Sequence, residues 1–143
     1  MTLKELSQLY WMKREIEENK RRLEELEAMA SSPKAQNIDL FRRKSNMPHV
    51  PSHGDALARC VAEIVELKAI IAAKQRRCIR ERNRLERYIA GIPDSLTRQI
   101  FTLRFVNGLS WAQIAARIGN NTPDSLRMTC NRYIASTNKD RRA

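Results

Sequence analysis

The 143 residues contain no run of 18 apolar side chains and no unbroken apolar stretch behind the first methionine. The expectation is therefore a cytoplasmic chain that neither crosses a bilayer nor is exported through a signal peptide. The three cysteines, Cys60, Cys78 and Cys130, are odd in number, far apart and never paired as CxxC. That argues against a disulfide framework and against a zinc ligand set, and fits reduced thiols. The two histidines, His49 and His53, fall in MPHVPSHG, where flanking prolines oppose the helix that would bring them onto one face, so no metal or other cofactor is expected. No nucleophile has a base near it in sequence, and most carboxylates decorate helix surfaces, so no enzymatic activity is expected. Acidic residues are also in deficit. Sixteen Asp and Glu against 27 Lys and Arg leave a net charge of +11, which favours a polyanionic partner such as nucleic acid or an acidic membrane face.

What the chain has in quantity is helical patterning. Thr2 with Glu5 fits a capping box that opens a helix running to about Ala30. Leu9, Met12, Ile16, Asn19, Leu23, Leu26 and Ala30 follow at alternating steps of four and three, a coiled-coil seam with one polar member, Asn19, suited to fixing register. Such a seam serves either a dimer or the chain's own second helix, and the spacing leaves both open. Tyr10 and Trp11 are expected to be packing residues. Pro33, Pro48 and Pro51 punctuate a connector over residues 31–54 that spans up to ~75 Å when extended, so it does not dictate the relative direction of the helices it joins. Its FRRK run at 41–44 reads as solvated charge, with phosphate contact as the sharper alternative. Asp55 is expected to cap a second long helix ending near Ala90. Leu57, Ile64, Ile71, Cys78 and Leu85 recur on that helix every seven residues, and Val61, Lys68, Gln75, Arg82 and Ile89 are expected as the other seam position. Its basic stretch at 74–87 is partly offset by two i,i+4 pairs, Arg77 with Glu81 and Arg82 with Glu86.

Residues 92–143 read as three short helices. Gly91 and Pro93 are expected to end the preceding helix, Gly91 as a left-handed cap, and Asp94 to cap the next. On that first short helix Leu96, Ile100 and Leu103 share a face flanked by Phe101 and Phe105, and Asn107 and Gly108 close it. Ser110 with Gln113 is a second capping box, opening a helix that points Trp111, Ile114, Ala115 and Ile118 inward. Gly119, Asn120 and Asn121 suit a tight turn, Thr122 a cap and Pro123 the first helical position. The third helix would bury Leu126, Cys130, Tyr133 and Ile134. Its opposite face carries Asp124, Ser125, Met128, Asn131 and Arg132, with Arg127 at the margin.

A helix with this face suits the major groove. Arg can bridge guanine O6 and N7, Asn suits adenine, and Met can touch the thymine methyl group. Ser125, Arg127, Met128, Asn131 and Arg132 are accordingly the candidate base-reading residues. Arg98, Arg104, Arg117, Thr122, Lys139, Arg141 and Arg142 are the candidate phosphate contacts. Asp124 would either stabilise the helix N-terminus or accept from a cytosine amino group.

Arg98, Ile100, Phe101, Leu103, Arg104, Phe105, Gly108, Ser110, Ile114 and Ala115 resemble region four of bacterial sigma factors, which binds the −35 promoter element. LSWAQIA around Trp111 and the turn GNNTPDSLRM are similar to a family of small phage and prophage sigma-like regulators. The resemblance is strongest over residues 92–134. The turn at 119–126 is longer than in typical sigma factors, and no counterpart of the promoter-melting region is present, so a complete sigma factor is not expected. What the resemblance implies is a late-gene activator in a bacterial host cell, with double-stranded DNA as partner and RNA polymerase as a further contact. The expected architecture is all-α: a coiled-coil helix at 1–30, the connector at 31–54, a second long helix at 55–91 and a helix-turn-helix domain at 92–143, dimerised through the long helices. The alternatives are a small-terminase-like DNA-packaging recognition subunit and a structural coiled-coil adaptor.

Overall fold

A computed structural model describes residues 1–31 and 53–142 of the chain. The described residues are helical throughout, with no strand: α1 (Leu3–Leu6), α2 (Gln8–Ala30), α3 (His53–Ala90), α4 (Ser95–Phe101), a π-helical turn (Thr102–Val106), α5 (Trp111–Ile118) and α6 (Pro123–Arg142). No described helix is long and apolar enough to cross a membrane. The FRRK run and His49 lie outside the described residues. The chain divides into two compact units, Met1–Arg14 with Arg76–Ala143, and Glu15–Gln75.

In the unit Glu15–Gln75, α2 and α3 pack antiparallel. The Cys60 thiol donates to the Leu26 carbonyl at 3.4 Å, Lys68 pairs with Glu27 at 3.5 Å, and Lys74 pairs with Glu15 at 3.6 Å, so the earlier part of α3 lies by the end of α2 and a later part by its beginning. Here the α2 seam faces the chain's own α3. Ile16 and Leu26 are buried, and Asn19, Leu23 and Ala30 are half-buried. On α3 the heptad through Ile64 and Ile71 is the seam, but its second position is Cys60, Leu67 and Lys74 rather than the expected Val61, Lys68 and Gln75, which are exposed. The register is displaced by one residue from the expected one, and Lys74 lies half-buried along it with its ammonium paired to Glu15. The Asn19 amide nitrogen is buried with no hydrogen-bond partner.

In the other unit the Thr2–Glu5 capping box forms, but the helix it opens is interrupted at Ser7, whose hydroxyl donates back to the Leu3 carbonyl at 2.9 Å. The α3 seam continues through Cys78, Glu81, Leu85 and Tyr88. Of the expected i,i+4 pairs, Arg82–Glu86 forms at 2.9 Å, whereas Glu81 pairs with Arg84 at 3.3 Å. Helix α3 starts at His53, which leaves Asp55 in its first turn rather than at its cap. Its C-terminus is not a left-handed glycine cap: positive φ among the glycines is confined to Gly108 and Gly119. A tight turn replaces it, with Gly91 N–H donating to Tyr88 at 3.1 Å and Ile92 N–H to Ile89 at 3.0 Å.

Asp94 caps α4, accepting from the Thr97 amide at 2.9 Å and the Thr97 hydroxyl at 2.6 Å. These two bonds hold its carboxyl below the ordinary value, the hydroxyl contributing most. With its hydroxyl satisfied, Thr97 takes the buried place expected for Leu96, and Leu96 is exposed. The expected single helix widens after Phe101: Asn107 N–H reaches back to the Thr102 carbonyl at 3.0 Å, five residues away. The widening puts Phe101, Phe105 and Val106 in one core with Leu6, Leu9, Leu85, Ile89, Ile92, Ile100, Ile114, Leu126, Cys130 and Ile134. Ile114 is fully buried, while Trp111, Ala115 and Ile118 pack against that core from its edge.

Two outcomes test this account. Asn19→Leu is expected to raise the melting temperature, since it replaces a buried amide lacking a partner with apolar packing; a drop on thermal circular dichroism would mean the amide is satisfied. Thr97→Val is expected to lower the melting temperature at neutral pH. A carboxyl depressed by folding stabilises above the ordinary carboxylate range and ceases to as pH falls through its lowered value, so the deficit should shrink in acid. A deficit equal at every pH would take the charge out of the explanation.

Candidate nucleic-acid interface

Helix α6 is positioned by the turn before it. Gly119 and Asn120 adopt φ of 76° and 56°, values that Gly and Asn adopt at least cost, and the Asn121 side-chain amide donates to the Gly119 carbonyl at 3.1 Å. Thr122 accepts from the Ser125 amide at 3.1 Å and Pro123 opens the helix, as expected. Leu126, Cys130 and Ile134 are buried, with Tyr133 packed beside them. A helix has only so much circumference, so fixing that stripe inward turns the residues about 180° away outward.

Four of the five candidate base-reading residues lie on that outward side, with Arg127 at its margin. Ser125, Arg127, Met128, Asn131 and Arg132 are exposed, Met128 at 49%. Asp124 stands in the first turn, where the helix dipole favours its charge, and pairs with Arg127 at 3.3 Å. The Ser125 carbonyl accepts from the Thr129 hydroxyl at 3.0 Å, closing that polar group into the helix.

The candidate phosphate contacts divide. Arg117, Lys139, Arg141 and Arg142 are exposed, the last three in the final turn of α6. Thr122 uses its hydroxyl as the cap. Arg98 and Arg104 have structural places instead. Arg98 is half-buried and donates to the Ile92 carbonyl at 2.6 Å and the Pro93 carbonyl at 2.9 Å, holding the turn after α3. Arg104 is half-buried, donates to Leu109 at 3.0 Å and stacks 4.8 Å from the Trp111 ring centre. Both guanidinia satisfy carbonyls that neither helix ladder reaches.

Tyr10 and Trp11 were expected to pack, but 39% and 57% of their surfaces are exposed. They meet edge to face at 5.2 Å, and with Ser7, Arg104, Ser110 and Gln113 they line a cleft of about 440 Å³. The Arg14 guanidinium lies 5.8 Å from the Tyr10 ring centre and 6.0 Å from that of Trp11. The signal was available: Leu9 is the seam residue, and Trp11, 200° further round the helix, cannot share its face.

Among the described residues no group of three or more His, Cys, Asp or Glu is placed to hold a metal ion. Burial pushes the Cys130 thiol up to about 11, against a smaller opposing pull from the Arg104 charge. Burial likewise raises the Tyr133 phenol, and Tyr88 adds to the shift. No protein-family model matches the chain, and neither curated proteins nor solved structures give a match.

At pH 7 a thiol of that pKa is ionised in roughly one molecule in ten thousand. Cys130 is therefore expected to resist alkylation in the native protein, while the half-buried Cys60 and Cys78 react ahead of it. Mass-mapped iodoacetamide labelling measures the order, and Cys130 modified first in folded protein would contradict its place in the core.

Proposed function

We propose that the chain is a sequence-specific, double-stranded-DNA-binding regulator of transcription, in which α4 to α6 act as a helix-turn-helix and α6 enters the major groove. The observation that carries this reading is the two-sidedness of α6. One stripe anchors in the core, and the opposite stripe, without an aromatic side chain, presents an amide, a hydroxyl, a carboxylate and two guanidinia beside Met128 and Ala135. Those groups match the donor and acceptor pattern of base-pair edges in the major groove. The net charge of +11 supplies the long-range attraction to a polyanion, and Arg117, Lys139, Arg141 and Arg142 are the exposed cations available to phosphate.

The roles divide by position. Asn131 and Arg132 read base edges, Met128 packs against thymine methyl groups, and Ser125 and Arg127 contact bases near the helix N-terminus. The resemblance to sigma-like phage regulators adds the inference that the regulated genes belong to a phage or prophage, and that RNA polymerase is the machinery whose access is controlled.

Selection of bound sequences from a random duplex pool is expected to return one preferred motif. Asn131→Ala and Arg132→Ala should each weaken binding to that motif by about 1 to 3 kcal/mol, with helicity unchanged. Arg141→Ala with Arg142→Ala should weaken all sequences alike and flatten the salt dependence by about two counterions. Native affinity in the Asn131 and Arg132 variants would remove α6 as the reading helix. Affinity that scarcely changes with salt would remove DNA as the partner.

A further inference from the structure

Helix α3 carries a second heptad seam. Ala58, Ala62, Val65, Ala69 and Ala72 follow one another at steps of four, three, four and three, the same alternation as the Cys60, Ile64, Leu67, Ile71 and Lys74 seam. At 100° per residue the two seams lie roughly 160° apart, on opposite sides of the helix. The Cys60 seam is covered by α2, whereas in the alanine seam only Ala72 is half-buried. Ala58, Ala62 and Ala69 are exposed, and Val65 at 64% is the most exposed large apolar side chain of the described residues, with Val61 beside it at 48%. Val65 and Val61 concentrate the apolar exposure of that side, and covering them removes it from water.

We propose that this seam docks on the same seam of a second copy of the chain, antiparallel, to form a symmetric dimer. Charge and shape choose both the occupant and the direction. With the two-fold axis between residues 62 and 65, Val65 of one copy sits over Ala62 of the other, and Ala58 sits over Ala69. The two layers at the axis therefore pair one large with one small side chain, and the layers of Ala58 on Ala69 outside them are small on both sides. The same alignment brings Arg59 of each copy beside Glu66 of the other, twice by symmetry, and lays the aliphatic stem of Lys68 along Val61. A parallel pairing would stack Val65 on Val65, set Glu66 against Val61 and form neither ion pair. The alanines let the helices approach to about 8 Å, the close end of the usual range. This interface is distinct from the α2–α3 packing within one chain, and it does not depend on the DNA-binding reading.

Sedimentation equilibrium of the full chain without DNA tests it. The expected mass is twice 16.6 kDa. Val65→Asp should raise the dissociation constant tenfold or more with helicity unchanged, because it places an unpaired carboxylate in the middle of the seam. Glu66→Arg alone should weaken the dimer by setting two arginines together, and adding Arg59→Glu should recover it. A wild-type monomer at every concentration would overturn the proposal, as would a higher oligomer. So would loss of helicity without change of mass in Val65→Asp, which would mean that residues 32–52 of the same chain cover the seam. Failure of the charge swap to recover the dimer would overturn the antiparallel register.

Discussion

Burial of the Phe101 ring is the contact on which the DNA-reading proposal physically depends. Its ring centre lies 6.5 Å from Tyr88, 5.3 Å from Phe105 and 5.5 Å from Tyr133, so one side chain touches the end of α3, the π-helical turn and α6. Full burial of such a ring contributes about 2 to 3 kcal/mol, and each well-oriented aromatic pair about 0.5 to 1.5 more. The π-helical turn makes that geometry possible. An ordinary α-turn would set Phe105 and Val106 further round the helix than the core extends. Lengthening the hydrogen-bonded ring by one residue brings both inside. Because Tyr133 and Cys130 are held by this cluster, the direction in which Asn131 and Arg132 face is fixed by core packing rather than by any contact of their own.

Much of this was legible because the strongest sequence signals coincide with the strongest physical demands. The capping boxes at Thr2 and Ser110, the cap at Asp94 and the Thr122–Pro123 start each satisfy backbone amides that would otherwise be unpaired, and all form as expected. The buried stripe of α6 was equally plain from its spacing. Where the reading departed from the structure, a tertiary partner had changed the cost of a local choice. Val61 drew the α3 seam one residue too far because it is apolar and Lys74 is not, and a single sequence does not display that Glu15 stands opposite Lys74. Leu96 gave way to Thr97 for the same reason: the polar residue had already been satisfied by Asp94. Gly91 suggested a left-handed cap by composition, but the last-turn carbonyls of α3 are served without positive φ, Tyr88 by the Gly91 amide and Ile89 by the Ile92 amide.

Arginine count is a poor guide to a nucleic-acid surface for a related reason. A guanidinium offers five donors in a fixed fork, and a carbonyl left over at a helix end or turn competes for them with any phosphate. Arg98 sits within α4 and Arg104 within the π-helical turn, and their forks reach back or forward to the turn carbonyls of Ile92, Pro93 and Leu109. Arg117, Arg132, Arg141 and Arg142 stand exposed on α5 and α6, and their donors are directed at solvent or a ligand.

Asp124 fits a DNA-reading face on energetic grounds. Its pair with Arg127 is solvent-exposed on both sides, with side-chain exposures of 84% and 56%, and such pairs contribute between nothing and about 1 kcal/mol. The helix dipole at the first turn of α6 adds a comparable amount in favour of the carboxylate. In the free protein the pair holds Arg127 along the helix, reducing the rotamer freedom that a long side chain would otherwise lose on binding. Against DNA the same pair is weak enough to be exchanged: a bidentate contact of Arg127 with guanine discriminates by about 1 to 3 kcal/mol, more than the pair it replaces. A carboxylate released near phosphate is repelled, unless a cytosine amino group lies within reach to donate to it. On the proposed reading, a base pair facing Asp124 and Arg127 would carry more discrimination than either side chain gives alone, with guanine for Arg127 and its paired cytosine for Asp124.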